Sequence, residues 1–127
     1  MPVVTNNTIP KFNIPGLEHQ TLAGPEHGMK TLEMWMQTIA PGGGTPVHRH
    51  ACEEAILILK GSGQITIDGI ATEFGPNSTL QIPSDAIHQI VNTGSEEMFL
   101  VAALGQAPVR VCTANNQYMP LPWQAHS

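Results

Sequence analysis

The chain has 127 residues, of which 41% are hydrophobic, so it is long enough for one compact domain and too short for two of ordinary size. Its net charge is −5 and it has only five Lys and Arg residues, which excludes the basic surface that nucleic-acid binding requires. No apolar run is long enough to span a membrane, and the first residues lack the basic and apolar regions of a secretory signal, so we expect a soluble, cytoplasmic protein.

The predicted elements begin with residues 1–13, a polar segment with two prolines. It predicts an arm that lies on the surface or is lent to a partner. From residue 29 onward, short apolar or alternating runs are separated by turn residues, a pattern typical of an all-β domain. The predicted strands span residues 32–39, 55–59, 64–67, 79–82, 88–91 and 99–104. No segment predicts a helix, so we expect a single antiparallel β-domain over residues 1–127.

Five further local predictions concern turns, burial, the C-terminal segment and the cysteines. Residues 60–63 are typical of a hairpin turn, and Asp68-Gly69 predicts another. The run 99–104 is apolar enough to be buried on both faces. Residues 113–127 are rich in polar residues and prolines, which favours an irregular C-terminal flap. The two cysteines, Cys52 and Cys112, match no redox or zinc pattern and are expected to be buried thiols, although a disulfide between them stays open.

The segment from 42 to 61 carries the residues that point to chemistry. In an extended chain His48 and His50 share a face, and Glu54 returns to the same face. Two imidazoles and a carboxylate suit a borderline divalent metal ion. His88, at the start of a later strand, is the candidate for the fourth ligand. An isolated H-x-H pair is common by chance, so the spacing of the whole set carries the hypothesis.

Five residues, Gly42, His48, His50, Glu54 and Gly61, fill the pattern G-x5-H-x-H-x3-E-x6-G. This pattern is the first motif of the cupin superfamily, which the chain therefore resembles. The second cupin motif is less complete, because Pro83, His88 and Asn92 fit while Asn77 and Asp85 stand at its glycine positions. The resemblance implies a double-stranded β-helix, also called a jelly-roll barrel. It further implies that the metal ligands inside the barrel are His48, His50, Glu54 and His88.

Longer stretches resemble the plant auxin-binding protein family over residues 14 to 120, among them HGMK at 27–30, TPVHRH at 45–50 and CEE at 52–54. In that family zinc binds the ligand's carboxylate and an apolar pocket holds its aromatic ring. The resemblance therefore implies a pocket lined by Ile14, Leu17, Gln37, Thr45, Pro46 and Val111, with Gln37 and Thr45 as polar contacts. Gln117 stands where the family has a tryptophan, so the aromatic clamp is weaker unless Trp123 substitutes for it. The signal, retention tail and disulfide of the plant proteins are not expected here.

Other conspicuous residues have simpler interpretations. Trp35 shares a face with Gln37 and either packs in the core, which we favour, or lines the pocket. Cys52 is conceivable as a soft ligand, but a buried thiol is the commoner role. Arg49 and Glu53 have the opposite parity and should face away from the ligands. We expect the remaining histidines, His19, His27 and His126, to lie on the surface without a function.

Three neutral imidazoles and one carboxylate leave a divalent metal ion with a net charge near +1, which favours an anionic oxygen ligand. The first hypothesis is a protein that binds an aromatic or apolar carboxylate at zinc. The second is a metal-dependent dioxygenase, decarboxylase or isomerase with iron, manganese or nickel, acting on a small carboxylate or diketone. A third is a metal that only stabilises the barrel. A small barrel with exposed edges also predicts a homodimer.

Overall fold

The computed structural model describes residues 2–124, and within this range nine strands form two antiparallel sheets. The all-β prediction is therefore confirmed. The strands are β1 (Phe12–Ile14), β2 (Leu17–Ala23), β3 (Glu33–Ile39), β4 (Glu54–Lys60), β5 (Gly63–Ile67), β6 (Ile70–Phe74), β7 (Ser78–Ile82), β8 (His88–Asn92) and β9 (Met98–Leu104). The larger sheet has the order β1-β2-β3-β9-β4-β7, and the smaller has the order β6-β5-β8. Three short 3-10 turns complete the elements, at Asn6–Thr8, Pro25–His27 and Pro122–Gln124.

The core lies between the two sheets and follows from the alternation of the strands. Side chains at alternate positions of β3, β4 and β9 are buried, because successive residues of a strand point to opposite faces. The most completely enclosed apolar side chains, at 1% exposure or less, are Ile39, Ile58, Met98, Leu100, Ala102, Leu104 and Val111. This core supports the inner faces from which the site residues project.

The segment that leads into β4 extends the smaller sheet. Gly44 forms a bridge with Val91, and His48 forms one with His88, so this segment runs antiparallel to β8. The backbone of His48 and that of His88 exchange two hydrogen bonds of 3.0 and 2.8 Å. Residues that are 40 positions apart are thereby held side by side on one wall of the barrel.

The six predicted strands are all present, with ends that differ by one residue or less from the prediction. Strands β1, β2 and β6 were not predicted. β2 buries His19 and Gln20 together with Leu17, so its buried positions are mostly polar and give no apolar alternation. In β6 the first four residues are exposed, because it is an edge strand of the smaller sheet, and its sequence therefore carries little hydrophobic signal.

The expected hairpin at residues 60–63 is wrong, because β4 and β5 belong to different sheets. The chain instead crosses from one sheet to the other, and it passes so close to its neighbours that a Cβ atom on Gly63 would lie 2.4 Å from the Val91 carbonyl oxygen. The glycines are needed for this crossing. The Asp68-Gly69 turn between β5 and β6 is confirmed, with both residues at positive φ, 48° and 84°.

Strand β9 is buried on its inner face only, which corrects the expectation that both faces are covered. Phe99 and Val101 are partly exposed and Ala103 is exposed on the outer face. The prediction failed because the outer side of β9 stays partly accessible, with no covering layer formed by residues 2–124.

The N-terminal arm packs on its own chain, because Gln20 Nε2 donates hydrogen bonds to the carbonyls of Asn6 and Ile9 at 2.9 and 3.0 Å. The C-terminal flap is described as far as Gln124, so His126 lies outside the described residues. Both cysteines are buried free thiols, as predicted. In residues 2–124 no helix is long and apolar enough to cross a membrane.

Candidate metal centre and adjoining cavity

Three histidines meet on the inner side of the barrel. His48 and His50 lie on the extended segment before β4, and His88 is the first residue of β8. Their ligand atoms all lie within 4.8 Å of one another, and each residue is at most 9% exposed. The three side chains could hold a metal ion. The alternation of extended chain, which places His48 and His50 on one face, and the bridge between His48 and His88 together produce this cluster.

Each ring is oriented by its own backbone. The Nδ1 atoms of His48, His50 and His88 face the carbonyl oxygens of Pro46, Cys52 and Ala86 at 2.6, 2.9 and 2.8 Å. A carbonyl only accepts, so each Nδ1 carries the proton and donates it. The unprotonated Nε2 atoms are then left as ligands, which is the arrangement of outer hydrogen bonds that fixes metal-binding histidines in other proteins.

Glu54, the first residue of β4, closes the cluster. Its Oε1 lies 3.0 Å from His50 Nε2 and 3.4 Å from His88 Nε2. With Nδ1 protonated, His50 Nε2 and the carboxylate are two acceptors in contact, so a cation or an extra proton is needed between them. His88 Nε2 is buried and has no hydrogen-bond partner among the described residues. Two imidazole nitrogens without a proton and a carboxylate fit a divalent metal ion.

The electrostatics of the cluster express the same demand for positive charge. Burial lowers the pKa of His50, but hydrogen bonds to Cys52 and Glu54 and the Glu54 charge outweigh it and raise that pKa to about 10. Burial raises the pKa of Glu54, and the neighbouring His50 and His88 imidazoles outweigh it and hold that pKa well below its usual range. Burial, followed by repulsion from His88, lowers the pKa of His48 to about 4. The Glu54 carboxylate thus stays charged, and it is stabilised by a positive charge beside it, either a protonated His50 or a metal ion.

The neighbours of the ligand residues lie outside the cluster. Cys52 Sγ contacts His50 Nδ1 at 3.5 Å, on the side of the ring that faces away from Glu54, so it is not placed as a ligand. The Arg49 side chain points toward Asp85, with 4.0 Å between Nε and Oδ1, and Glu53 is exposed. Both therefore face away from the histidines, as their parity indicates.

An apolar cavity adjoins the cluster, and His48, Glu54 and His88 form one part of its wall. All the residues named as pocket residues from the sequence line it: Ile14, Leu17, Gln37, Thr45, Pro46, Val111 and Trp123. Their contact with a ligand stays a prediction. Trp35 also lines the cavity and is at the same time a core residue, with 4% exposure. The lining residues that the sequence did not indicate are Ile56, Ile90 and Leu121.

His19 is the main correction to the sequence-based site. We expected it on the surface, but it is 0% exposed. Its Nε2–H donates to Thr21 Oγ1 at 2.7 Å, and its Nδ1 accepts a hydrogen bond of 3.0 Å from Gln37 Nε2. Burial lowers its pKa to about 3, so the ring is neutral. The signal that could have revealed it is its parity with Leu17, which becomes informative only once β2 is recognised. His27 is exposed, as expected.

Aromatic rings surround His19. The ring of Trp123 stacks on it, with 3.6 Å between ring centroids and 8° between planes. Trp35 meets both rings edge-on, at 5.1 Å from His19 and 5.7 Å from Trp123. Trp35 itself is anchored by a 2.8 Å hydrogen bond from its Nε1 to Glu33 Oε1. Of this aromatic cluster, Trp35 and Trp123 line the cavity and form the part of its wall that is suited to a planar ring, and His19 lies behind Trp123.

Comparison with known proteins gives a consistent result. A family model described as auxin binding protein matches residues 2–125. The chain is 40% identical to auxin-binding protein 1 of Arabidopsis thaliana in an alignment that covers 94% of this chain and 67% of the relative. It is also 40% identical to auxin-binding protein T85 of Nicotiana tabacum, over 94% of this chain and 72% of that protein.

Solved structures show the same fold. The polyketide cyclase RemF from Streptomyces resistomycificus superimposes with a TM-score of 0.73 at 23% identity, over 87% of this chain and 84% of that chain. An RmlC-like cupin from Shewanella frigidimarina superimposes with a TM-score of 0.72 at 17% identity, over 83% and 90% of the two chains. These likenesses confirm the predicted cupin jelly-roll fold.

Proposed function

The chain belongs to the auxin-binding protein family, and we propose that it binds a small aromatic carboxylate at a divalent metal ion held by His48, His50, Glu54 and His88. One observation carries this proposal: a polar cluster that needs a cation forms one end of a cavity whose other walls are apolar and aromatic. A ligand with an anionic end and a planar apolar body matches both ends. We propose zinc as the metal, because it favours imidazole and carboxylate ligands.

When bound, the metal ion supplies a positively charged site for the carboxylate, and the net charge near +1 that these ligands leave is neutralised by one carboxylate. The chain supplies hydrogen-bond donors nearby. Thr45 Oγ1 accepts from the Ile90 amide at 3.0 Å, so its hydroxyl proton stays available to donate. Gln37 gives one amide N–H to His19 and keeps the second. Both side chains can thus orient a carboxylate.

The same residues support binding rather than turnover. Glu54, the carboxylate that lines the cavity beside the histidines, is engaged by His50 and His88 and is held in its charged form, so it is not poised to accept a substrate proton at neutral pH. The neutral His19 uses both ring nitrogens in hydrogen bonds. With the Nε2 atoms of His48, His50 and His88 bound to the metal ion, the described cavity wall would offer no free general base.

Metal analysis and ligand titration test this proposal. We expect the purified protein to contain one zinc ion per chain by elemental analysis and to bind indole-3-acetate more tightly than indole-3-acetamide, which lacks the carboxylate. His88→Ala should lose the metal and the binding together. The matched control is His27→Ala, since His27 is exposed and outside the site. Unchanged metal content in His88→Ala would refute the metal site. If the protein loaded with iron, manganese or nickel converts a small carboxylate or diketone into a product, it is an enzyme and the binding proposal is wrong.

We also propose that two chains associate through the outer face of the larger sheet. Most outward positions of its central strands are apolar, and Met36, Leu57 and Val101 lie side by side in register on β3, β4 and β9. Leu57 is 40% exposed and Met34, on the same face, is 36% exposed. A contiguous apolar face of this kind is typical of an interface between chains.

A further inference from the structure

The cavity beside the metal centre is too small for the ligand that its chemistry suits. Its volume is about 30 Å³. Pockets for small organic ligands have volumes of roughly 300–1,000 Å³. A bicyclic aromatic carboxylate therefore cannot enter unless a side chain moves, and the structure indicates which one.

Trp123 occupies the place that suits a planar ring. Its indole stacks on His19 at 3.6 Å and meets Trp35 edge-on, which is the packing that an aromatic guest would adopt there. Its backbone belongs to a three-residue 3-10 turn near the C-terminus, outside both sheets. A side chain on such a segment moves at smaller cost than one on a central strand.

The two tryptophans differ in how their indole N–H groups are satisfied. Trp35 donates to Glu33, whose second oxygen accepts from the Val109 amide at 2.8 Å, so Trp35 is fixed in a complete network. The indole N–H of Trp123 is buried and has no partner among the described residues. A buried donor without a partner is unfavourable, so moving this indole costs less than its packing alone suggests.

Room for the displaced indole exists on the other side. A second cavity of about 340 Å³ is also lined by Trp123, together with Ile9, Phe12, Thr21 and Pro108. Trp123 is thus the wall between a small cavity at the metal centre and a larger one beneath the N-terminal arm. A change in its position would enlarge the first at the expense of the second.

We infer that Trp123 plugs the ring-binding half of the ligand pocket in the free protein, and that the aromatic ring of the guest displaces it and stacks on His19. This inference rests on the proposed function. The plug lowers the apparent affinity, because only chains with the indole displaced can bind.

Titration of the zinc-loaded full chain with indole-3-acetate tests the inference. If the plugged state dominates, Trp123→Ala should bind about tenfold more tightly than wild type, since no displacement is needed. Tyr118→Ala is the matched control, because Tyr118 is exposed and lines neither cavity, and its affinity should equal that of wild type. If Trp123→Ala binds indole-3-acetate as tightly as wild type or more weakly, Trp123 does not block the pocket and is only one of its lining residues. Absence of binding by both proteins would instead refute the proposed function and the plug with it.

A second measurement needs no cavity-forming variant. The chain has two tryptophans, so 5-fluorotryptophan labelling gives two fluorine resonances, which Trp123→Phe assigns. On saturation with indole-3-acetate we expect the Trp123 resonance to change its chemical shift, because its ring leaves the stack on His19, whereas acetate, which has no ring, should leave it in place. A Trp123 resonance that keeps its position at saturation with indole-3-acetate would contradict the displacement.

Discussion

His19 shows how a single buried side chain can link the stability of the domain to pH. Its ring is neutral in the folded protein because burial lowers its pKa to about 3, whereas in the unfolded chain it takes a proton near its ordinary value of 6.5. Below pH 6.5 the unfolded state therefore binds more protons. Above pH 6.5 the ring is neutral in both states and has no effect on the pH dependence of stability, and the free energy of unfolding falls as the pH is lowered from 6.5 toward 3.

We predict that this residue contributes a loss of up to about 1.4 kcal/mol in the free energy of unfolding for each pH unit in that window. Urea unfolding of wild type and His19→Gln between pH 7 and 4 measures it. Glutamine does not titrate, so the variant should lose stability less steeply. Carboxylates titrate equally in both proteins and cancel in the comparison. Parallel pH profiles would show that His19 is not buried in its neutral form.

At the scale of strands and turns, hydrophobic alternation carried most of the information. It located β3, β4, β5, β7, β8 and β9 because each has a buried apolar row. β2 was missed because its buried residues include His19 and Gln20, whose burial depends on hydrogen bonds to Gln37 and to the Ile9 carbonyl, both distant in sequence. Burial of a polar side chain depends on such partners, and a linear pattern does not contain them.

The turns gave a related lesson. Asn77 and Asp85 replace glycines of the second cupin motif, and both adopt positive φ, 59° and 61°. Asn and Asp are the residues other than glycine that tolerate this conformation best, so the turns keep their shape. His48, His50 and Glu54 were predictable from their shared parity, and the resemblance to the cupin motifs added His88. The aromatic cluster was not, because it brings β2, β3 and the C-terminal turn together through the tertiary fold.

At the scale of the whole molecule, the apolar outer face of the larger sheet leads to a prediction about assembly. We expect a dimer in analytical ultracentrifugation, and Val101→Lys should convert it to a monomer, because a charge at the centre of the face would be buried without a partner. Ile70→Lys is the matched control. Ile70 is 73% exposed but lies on the smaller sheet, so its replacement should leave the dimer intact. A wild-type monomer at micromolar concentration, or a dimer that persists in Val101→Lys, would contradict this interface.

The barrel, the metal centre and the cavity come together in one claim, that a carboxylate ligand meets a metal ion between His48, His50, Glu54 and His88. A crystal structure of the protein with zinc and indole-3-acetate, with anomalous diffraction data at the zinc edge, tests it directly. We predict one anomalous peak among the three Nε2 atoms and the Glu54 carboxylate, with the ligand's carboxylate oxygens completing the coordination. Zinc density elsewhere, or a ligand whose carboxylate points away from the metal, would contradict the account.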